Sequence, residues 1–325
     1  MHPSFKTEWW YFTGNLLAAD GKEFGYQLTF FRQGVIPPNQ PVPPSNWIRR
    51  DVPFAHFAVS QITESKFHHF ERLVRGVSGE AGFDEGSRLA WIGNWECERT
   101  GPHDFRLRAS EGDIRIDLKL NAEKLPVVHG IDGASRKSDA VGGYSHYYSL
   151  TRLKTAGTIQ TGTASTTVTG CSWFDHEWAS NQLTSQQVGW DWFSLQMDDG
   201  CELMLYQIRR KDGSVDPASS GTFIRADGTS LHIPHGSFRL EPVSTWQSPA
   251  SGGRYPVKWR LAIPSLNLAL TIAARFENQE LRGEPFTYWE GAITADGTLA
   301  GTRTEARGYL EMTGYGGPIK GLNSR

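Results

Sequence analysis

The chain has only three cysteines in 325 residues, Cys97, Cys171 and Cys201, and none forms a Cys-x-x-Cys pair. The odd count leaves at least one thiol outside any disulfide. A chain of this size needs no covalent staple for its core, so cysteine says little about compartment. Charge of one sign is missing too. The formal net charge is −2, which gives no electrostatic case for nucleic acid or an acidic membrane surface. No apolar run is long enough to span a bilayer, which argues against an integral membrane protein. No Gly-rich phosphate loop follows a strand and opens a helix, and neither His-Glu-x-x-His nor Gly-x-Ser-x-Gly occurs. These absences take support from nucleotide, metal and α/β-hydrolase chemistry.

What is abundant is glycine (35 residues) and tryptophan (12 residues). Together they suit many short strands joined by tight turns. Glu8 to Leu16 reads as a strand, Asp20-Gly21 as a hairpin turn, and Phe24, Tyr26, Leu28 and Phe30 as one face of the returning strand, which ends at Arg32. Gly189 to Met197, Asp199-Gly200 and Leu203 to Arg209 repeat that order, down to a Tyr-Gln pair followed by Arg. The echo suggests two related halves. Five prolines between Pro37 and Pro44 predict a long loop. One short helix is expected over 65–74, where Phe67, Phe70 and Val74 share a face and Ser65 caps it. The expected fold is all-β, with antiparallel barrel halves over 1–160 and 161–325 and strands that can be exchanged at the border.

Chemistry concentrates in Thr169 to Ser180. Trp173-Phe174-Asp175-His176-Glu177-Trp178 sets three titratable groups among three large aromatics. In a strand the faces alternate, so Trp173, Asp175 and Glu177 look one way and Phe174, His176 and Trp178 the other. Two carboxylates beside an indole can raise a carboxyl pKa by desolvation and like-charge repulsion. Asp175, His176 and Glu177 are therefore the candidate acid-base residues, with Asp175 as proton donor. A buried, hydrogen-bonded strand end is the structural alternative. Consecutive positions cannot all reach one ion, so a metal would need Asp175 and Glu177 joined by His129 or His56. No metal and no cofactor is expected.

Candidate ligand-binding residues are Trp10, Tyr11, Gln27, His56, Tyr147, Trp173, Trp190, Trp192 and Tyr206. Each also fits a packed strand, and Trp9 suits a barrel plug. Glu8 needs a partner if buried, and Arg32 is in place to supply it. Glu311 is expected to pair with Arg209 or Arg307.

Three segments carry a resemblance: Thr7-Glu8-Trp9-Trp10-Tyr11-Phe12-Thr13-Gly14-Asn15-Leu16, the 173–178 run with Gly189-Trp190-Asp191-Trp192-Phe193, and Gly308-Tyr309-Leu310-Glu311-Met312-Thr313-Gly314-Tyr315. Together they resemble the AttH-like and carotenoid 1,2-hydratase superfamily. The resemblance implies two lipocalin-like barrel halves and a pocket for a hydrophobic ligand such as a lipid, isoprenoid or polyene. It also implies either simple binding of that ligand or a cofactor-free hydratase, cyclase or isomerase-like reaction on it. The resemblance is nearest to the AttH-type branch: the hydratase branch has Tyr and Asn where this chain has Trp173 and Glu177, a departure that counts against hydratase activity. The resemblance further implies a periplasmic or secreted protein, served by an ABC-type export system. Met1-His2-Pro3 runs almost directly into the first strand, so natural residues ahead of it are expected to be absent here.

Overall fold

A computed structural model of the chain describes residues 1–37, 39–43, 49–74, 79–181, 183–283 and 287–318. The chain divides into two compact units. The first takes Met1–Thr63, His68–Pro126 and His146–Ser180, and the second Glu64–Phe67, Val127–Ser145 and Asn181–Arg325. The fold is all-β, built on two curled antiparallel half-barrel sheets. No helix among the described residues is long and apolar enough to cross a membrane.

The first sheet draws on β1 (Thr7–Ala18), β2 (Glu23–Gly34), β3 (Asp51–Gln61), β4 (Lys66–Leu73), β5 (Ala81–Phe83), β6 (Arg88–Ile92), β7 (Trp95–Arg99), β8 (Phe105–Glu111), β9 (Ile114–Ala122), the short β10 (Val127–Val128) and β11 (Ser135–Arg136), β12 (Tyr144–Thr161) and β13 (Ala164–Ala179). Its order is β4-β3-β2-β1-β13-β12-β9-β8-β7-β6-β5. Alternate residues of these strands build one core. Trp10, Phe12, Leu28, Phe30, Phe57 and Phe174 are all buried in it, as a period of two requires for strands with one face on a core.

The second sheet contains β14 (Gln187–Met197), β15 (Glu202–Arg210), β16 (Ser220–Ile224), β17 (Ser230–Ile233), β18 (Arg239–Gln247), β19 (Arg254–Ile263), β20 (Leu268–Ala274), β21 (Glu280–Arg282), β22 (Thr287–Leu299) and β23 (Thr302–Thr313). The order is β17-β16-β15-β14-β23-β22-β20-β19-β18, with β21 on β22. Phe193, Leu195, Leu205, Trp259, Trp289 and Leu310 belong to its separate core.

The helix expected over 65–74 is a strand instead: β4 pairs with β3. Ser65 does not cap a helix but sits at φ 52° after a single 3-10 turn, Ile62–Glu64. Phe70 still packs against the first core, from a strand in place of a helix. Three apolar residues, Phe67, Phe70 and Val74, cannot separate the two periods, and the open edge of β3 decided. Of the proline segment, Pro38 and residues 44–48 lie outside the described residues.

Candidate active site

Strand β13 is held on one side by β1, with Tyr11 opposite Asp175, Trp9 opposite Glu177 and Thr13 opposite Trp173. Between these lie Trp10 opposite His176 and Phe12 opposite Phe174. The second set faces the core, where Phe12 and Phe174 stack at 4.4 Å and Trp10 lies between Phe83 (4.7 Å) and His176 (4.9 Å). The first set therefore faces away from that core, and yet Asp175 is only 4% exposed.

Three neutral donors close on the Asp175 carboxyl. Tyr147 Oη donates to Oδ2 at 2.8 Å, Trp173 Nε1–H donates to Oδ1 at 2.6 Å, and Ser149 Oγ–H also donates to Oδ1. Tyr147 and Ser149 are two apart on β12, so they share a face, as Trp173 and Asp175 do on β13. Burial pushes the Asp175 pKa up to about 7. The three hydrogen bonds pull it down, and the neighbouring Glu177 charge adds to the rise. A carboxyl poised there gives up a proton at neutral pH and takes it back, which is what a general acid must do.

The same face continues across the sheet. Tyr11 stands opposite Thr29, and Thr29 opposite His56. Gln27 Nε2 donates to Thr29 Oγ1 at 2.9 Å, and His56 Nε2 lies 3.0 Å from Glu71 Oε2. All of these except Glu71 are buried.

On the core side, His176 Nε2 lies 2.9 Å from Glu8 Oε1, and its Nδ1 lies 3.2 Å from Tyr148 Oη. Arg32 Nε donates to Glu8 Oε2 at 3.1 Å, the pairing expected for these two residues. Burial works against the Glu8 charge, but hydrogen bonds from His176 and His2 outweigh it and hold the carboxyl at about 2. Burial lowers the His176 pKa, with Glu8 opposing.

The remaining candidates belong to the second unit. Trp192 is opposite Tyr206 on β15 and Glu311 on β23. Trp190 Nε1 donates to Glu311 Oε1 at 3.1 Å, while Arg209 pairs with Asp191 at 3.1 Å. Glu311 thus meets an indole, and the guanidinium of Arg209 goes to a different acid. Tyr206 Oη donates to the Arg136 carbonyl and accepts from Ser220 Oγ, both at 2.9 Å, and Lys137 Nζ sits 4.1 Å from the centre of its ring. His129, considered above as a metal ligand, is buried and lies 2.8 Å from Thr222 Oγ1 through its Nδ1.

Of the sequence candidates, the structure thus brings Asp175, Trp173 and Tyr147 together, with Glu177 and Tyr11 on the same face. His176 and Trp10 lie on the opposite face, and Gln27 and His56 lie farther along the polar row. Ser149 was missed, although its place two residues after Tyr147 in an alternating strand was readable.

The AttH-like family profile matches residues 1–315. The structure of an AttH-type protein from Nitrosomonas europaea superposes with a TM-score of 0.87 at 31% identity, covering 97% of this chain and 94% of that one. Kievitone hydratase from Nectria haematococca superposes with a TM-score of 0.75 at 16% identity, covering 96% and 90%, a likeness of fold. The dehydratase asqC of Emericella nidulans is 25% identical over 223 residues, or 64% of this chain and 60% of that protein. The chain thus matches less than two thirds of that relative's length.

Proposed function

The chain belongs to the AttH-like family, and from that premise we propose that it adds water to, or removes it from, a hydrophobic terpenoid or polyene, with Asp175 as the general acid. The observation that carries this reading is the buried Asp175 carboxyl, pushed up to about 7 and clasped by Tyr147, Ser149 and Trp173. In the dehydrating direction the Asp175 proton passes to the departing hydroxyl, the C–O bond breaks and water leaves. A proton from the neighbouring carbon goes to the Glu177 carboxylate as the C=C bond forms. Hydration is the reverse: the protonated Glu177 returns its proton to the alkene carbon, and the Asp175 carboxylate takes a proton from the attacking water as the C–O bond forms. Glu177 stands two residues along the strand, about 7 Å away on the same face. That separation suits an acid and a base working on adjacent substrate atoms. The three donors to Asp175 hold its anion after proton transfer, and the Trp173 π face shields a developing cation.

Binding of the hydrophobic ligand is part of the same proposal, with Tyr11, Tyr147 and Trp173 as its aromatic contacts. By name, the asqC relative is a dehydratase and the Nectria haematococca fold neighbour a hydratase, and removal and addition of water are opposite directions of one class of reaction. Incubation with linalool in H₂¹⁸O tests it. The label enters the hydroxyl group with the native protein and not with Asp175→Asn, while both bind an apolar fluorescent probe equally. Probe binding with no exchange in either protein would leave a carrier and refute the enzyme. We extend the proposal to an exported protein that works beside an ABC-type export system, and finding the full-length gene product wholly in the cytoplasmic fraction refutes that extension.

A further inference from the structure

The segment ahead of β1 carries a second cluster that takes no part in the Asp175 chemistry. His2 Nδ1 lies 2.8 Å from Glu8 Oε1, and His176 Nε2 lies 2.9 Å from the same oxygen. The three atoms lie within 4.8 Å of one another. We propose that His2, Glu8 and His176 form a site for one divalent transition metal of the zinc class, with water completing its shell.

Two imidazoles and one carboxylate are a donor set that suits zinc and its neighbours. The ligands are oriented from outside, as metal ligands usually are. Arg32 Nε and the His2 backbone N–H both hold Glu8 Oε2, at 3.1 Å and 2.8 Å, which aims Oε1 at the imidazoles. The far nitrogen of His176 meets Tyr148 Oη at 3.2 Å. Trp178 stacks on His2 at 3.7 Å and Trp10 on His176 at 4.9 Å, so neither ring turns freely.

Charge favours a cation as well. Arg32 is shared between Glu8 and Asp51, the latter at 2.6 Å. Two carboxylates against one guanidinium leave a net negative charge beside two imidazoles. The Glu8 side chain is fully buried and that of His176 is 8% exposed, whereas His2 is 36% exposed. An ion therefore enters from the His2 side and ties the leading segment to β1 and β13. His176 faces the core, on the opposite face of β13 from Asp175, so the site stands or falls independently of the hydratase reading.

The test is calorimetric titration of chelator-stripped, tag-free protein with ZnCl₂, repeated with Co²⁺ to read the ligand field. One equivalent is expected to bind, to raise the thermal midpoint and to give a tetrahedral Co²⁺ spectrum. His2→Ala removes an exposed ligand without touching the core and is expected to abolish binding. Tyr148→Phe keeps the ligands and weakens binding roughly 10- to 100-fold. Absence of stoichiometric binding, or binding that His2→Ala leaves unchanged, overturns the site.

Discussion

Replacing Asp175 by Asn tests the state of the carboxyl without any substrate. Burial raises its pKa from an ordinary 3.8 to about 7. In the folded protein the group therefore keeps a proton that the unfolded chain has already lost, across roughly pH 4 to 7. Folded stability is then highest below that window and falls as pH rises through it. At about 1.4 kcal/mol per pH unit of separation, the full loss is on the order of 4 kcal/mol, an upper bound if water reaches the group. Asn cannot titrate, and its carbonyl oxygen still accepts from Trp173 and Ser149. The variant should match the native protein below about pH 4, where both states hold the proton, and exceed it by a few kcal/mol near pH 8. Urea unfolding followed by tryptophan fluorescence at one-unit steps gives the difference directly. A difference that stays flat from pH 5 to 8, or one that favours the native protein as pH rises, refutes a protonated Asp175.

Tyr147→Phe removes a hydrogen bond that lowers the Asp175 pKa. The loss of activity at alkaline pH should therefore move to higher pH, as read from the pH–rate profile. Arg32→Met leaves Glu8 and Asp51 facing each other without their shared cation, and should cost about 3–5 kcal/mol in urea unfolding. Arg32→Lys should restore only part of this, because Arg32 spreads its bonds over Glu8, Asp51 and two carbonyls. Among the thiols, Cys97 is fully buried and burial pushes its pKa up, whereas Cys171 and Cys201 are partly exposed. Ellman's reagent should modify those two in the native protein and reach Cys97 only on unfolding.

Features set by neighbouring residues were legible in the sequence. Both Asp-Gly turns fall where expected, with Gly21 and Gly200 each at φ +84°. Alternation also sorted Asp175 from His176 correctly, since no partner strand can change which side a residue faces. The Tyr-Gln echo between the halves held less well. Tyr26 lies in the first core, whereas Tyr206 lies outside the second core and hydrogen-bonds to Arg136 and Ser220. A one-residue offset in aligning the repeats reverses every face. Partners from distant strands were mostly beyond reach. Glu8 and His176 are 168 residues apart, and Tyr147 meets Asp175 across 28. Only the register of the folded sheet brings such pairs together.

The ladder between β1 and β13 has a consequence for how the chain is made. Thr7 bonds to Ala179 across 172 residues, while the other edge of β1 is filled by β2 straight after a tight turn. During synthesis the first hairpin forms early and leaves one edge of β1 bare. At ribosomal rates of about 5–20 residues per second, that edge waits roughly 10–30 s for its partner. An unpaired edge rich in Trp, Tyr and Phe is a target for other nascent chains. Shielding of this hairpin by a chaperone, more than the final stability of the sheet, should therefore govern the yield of folded protein.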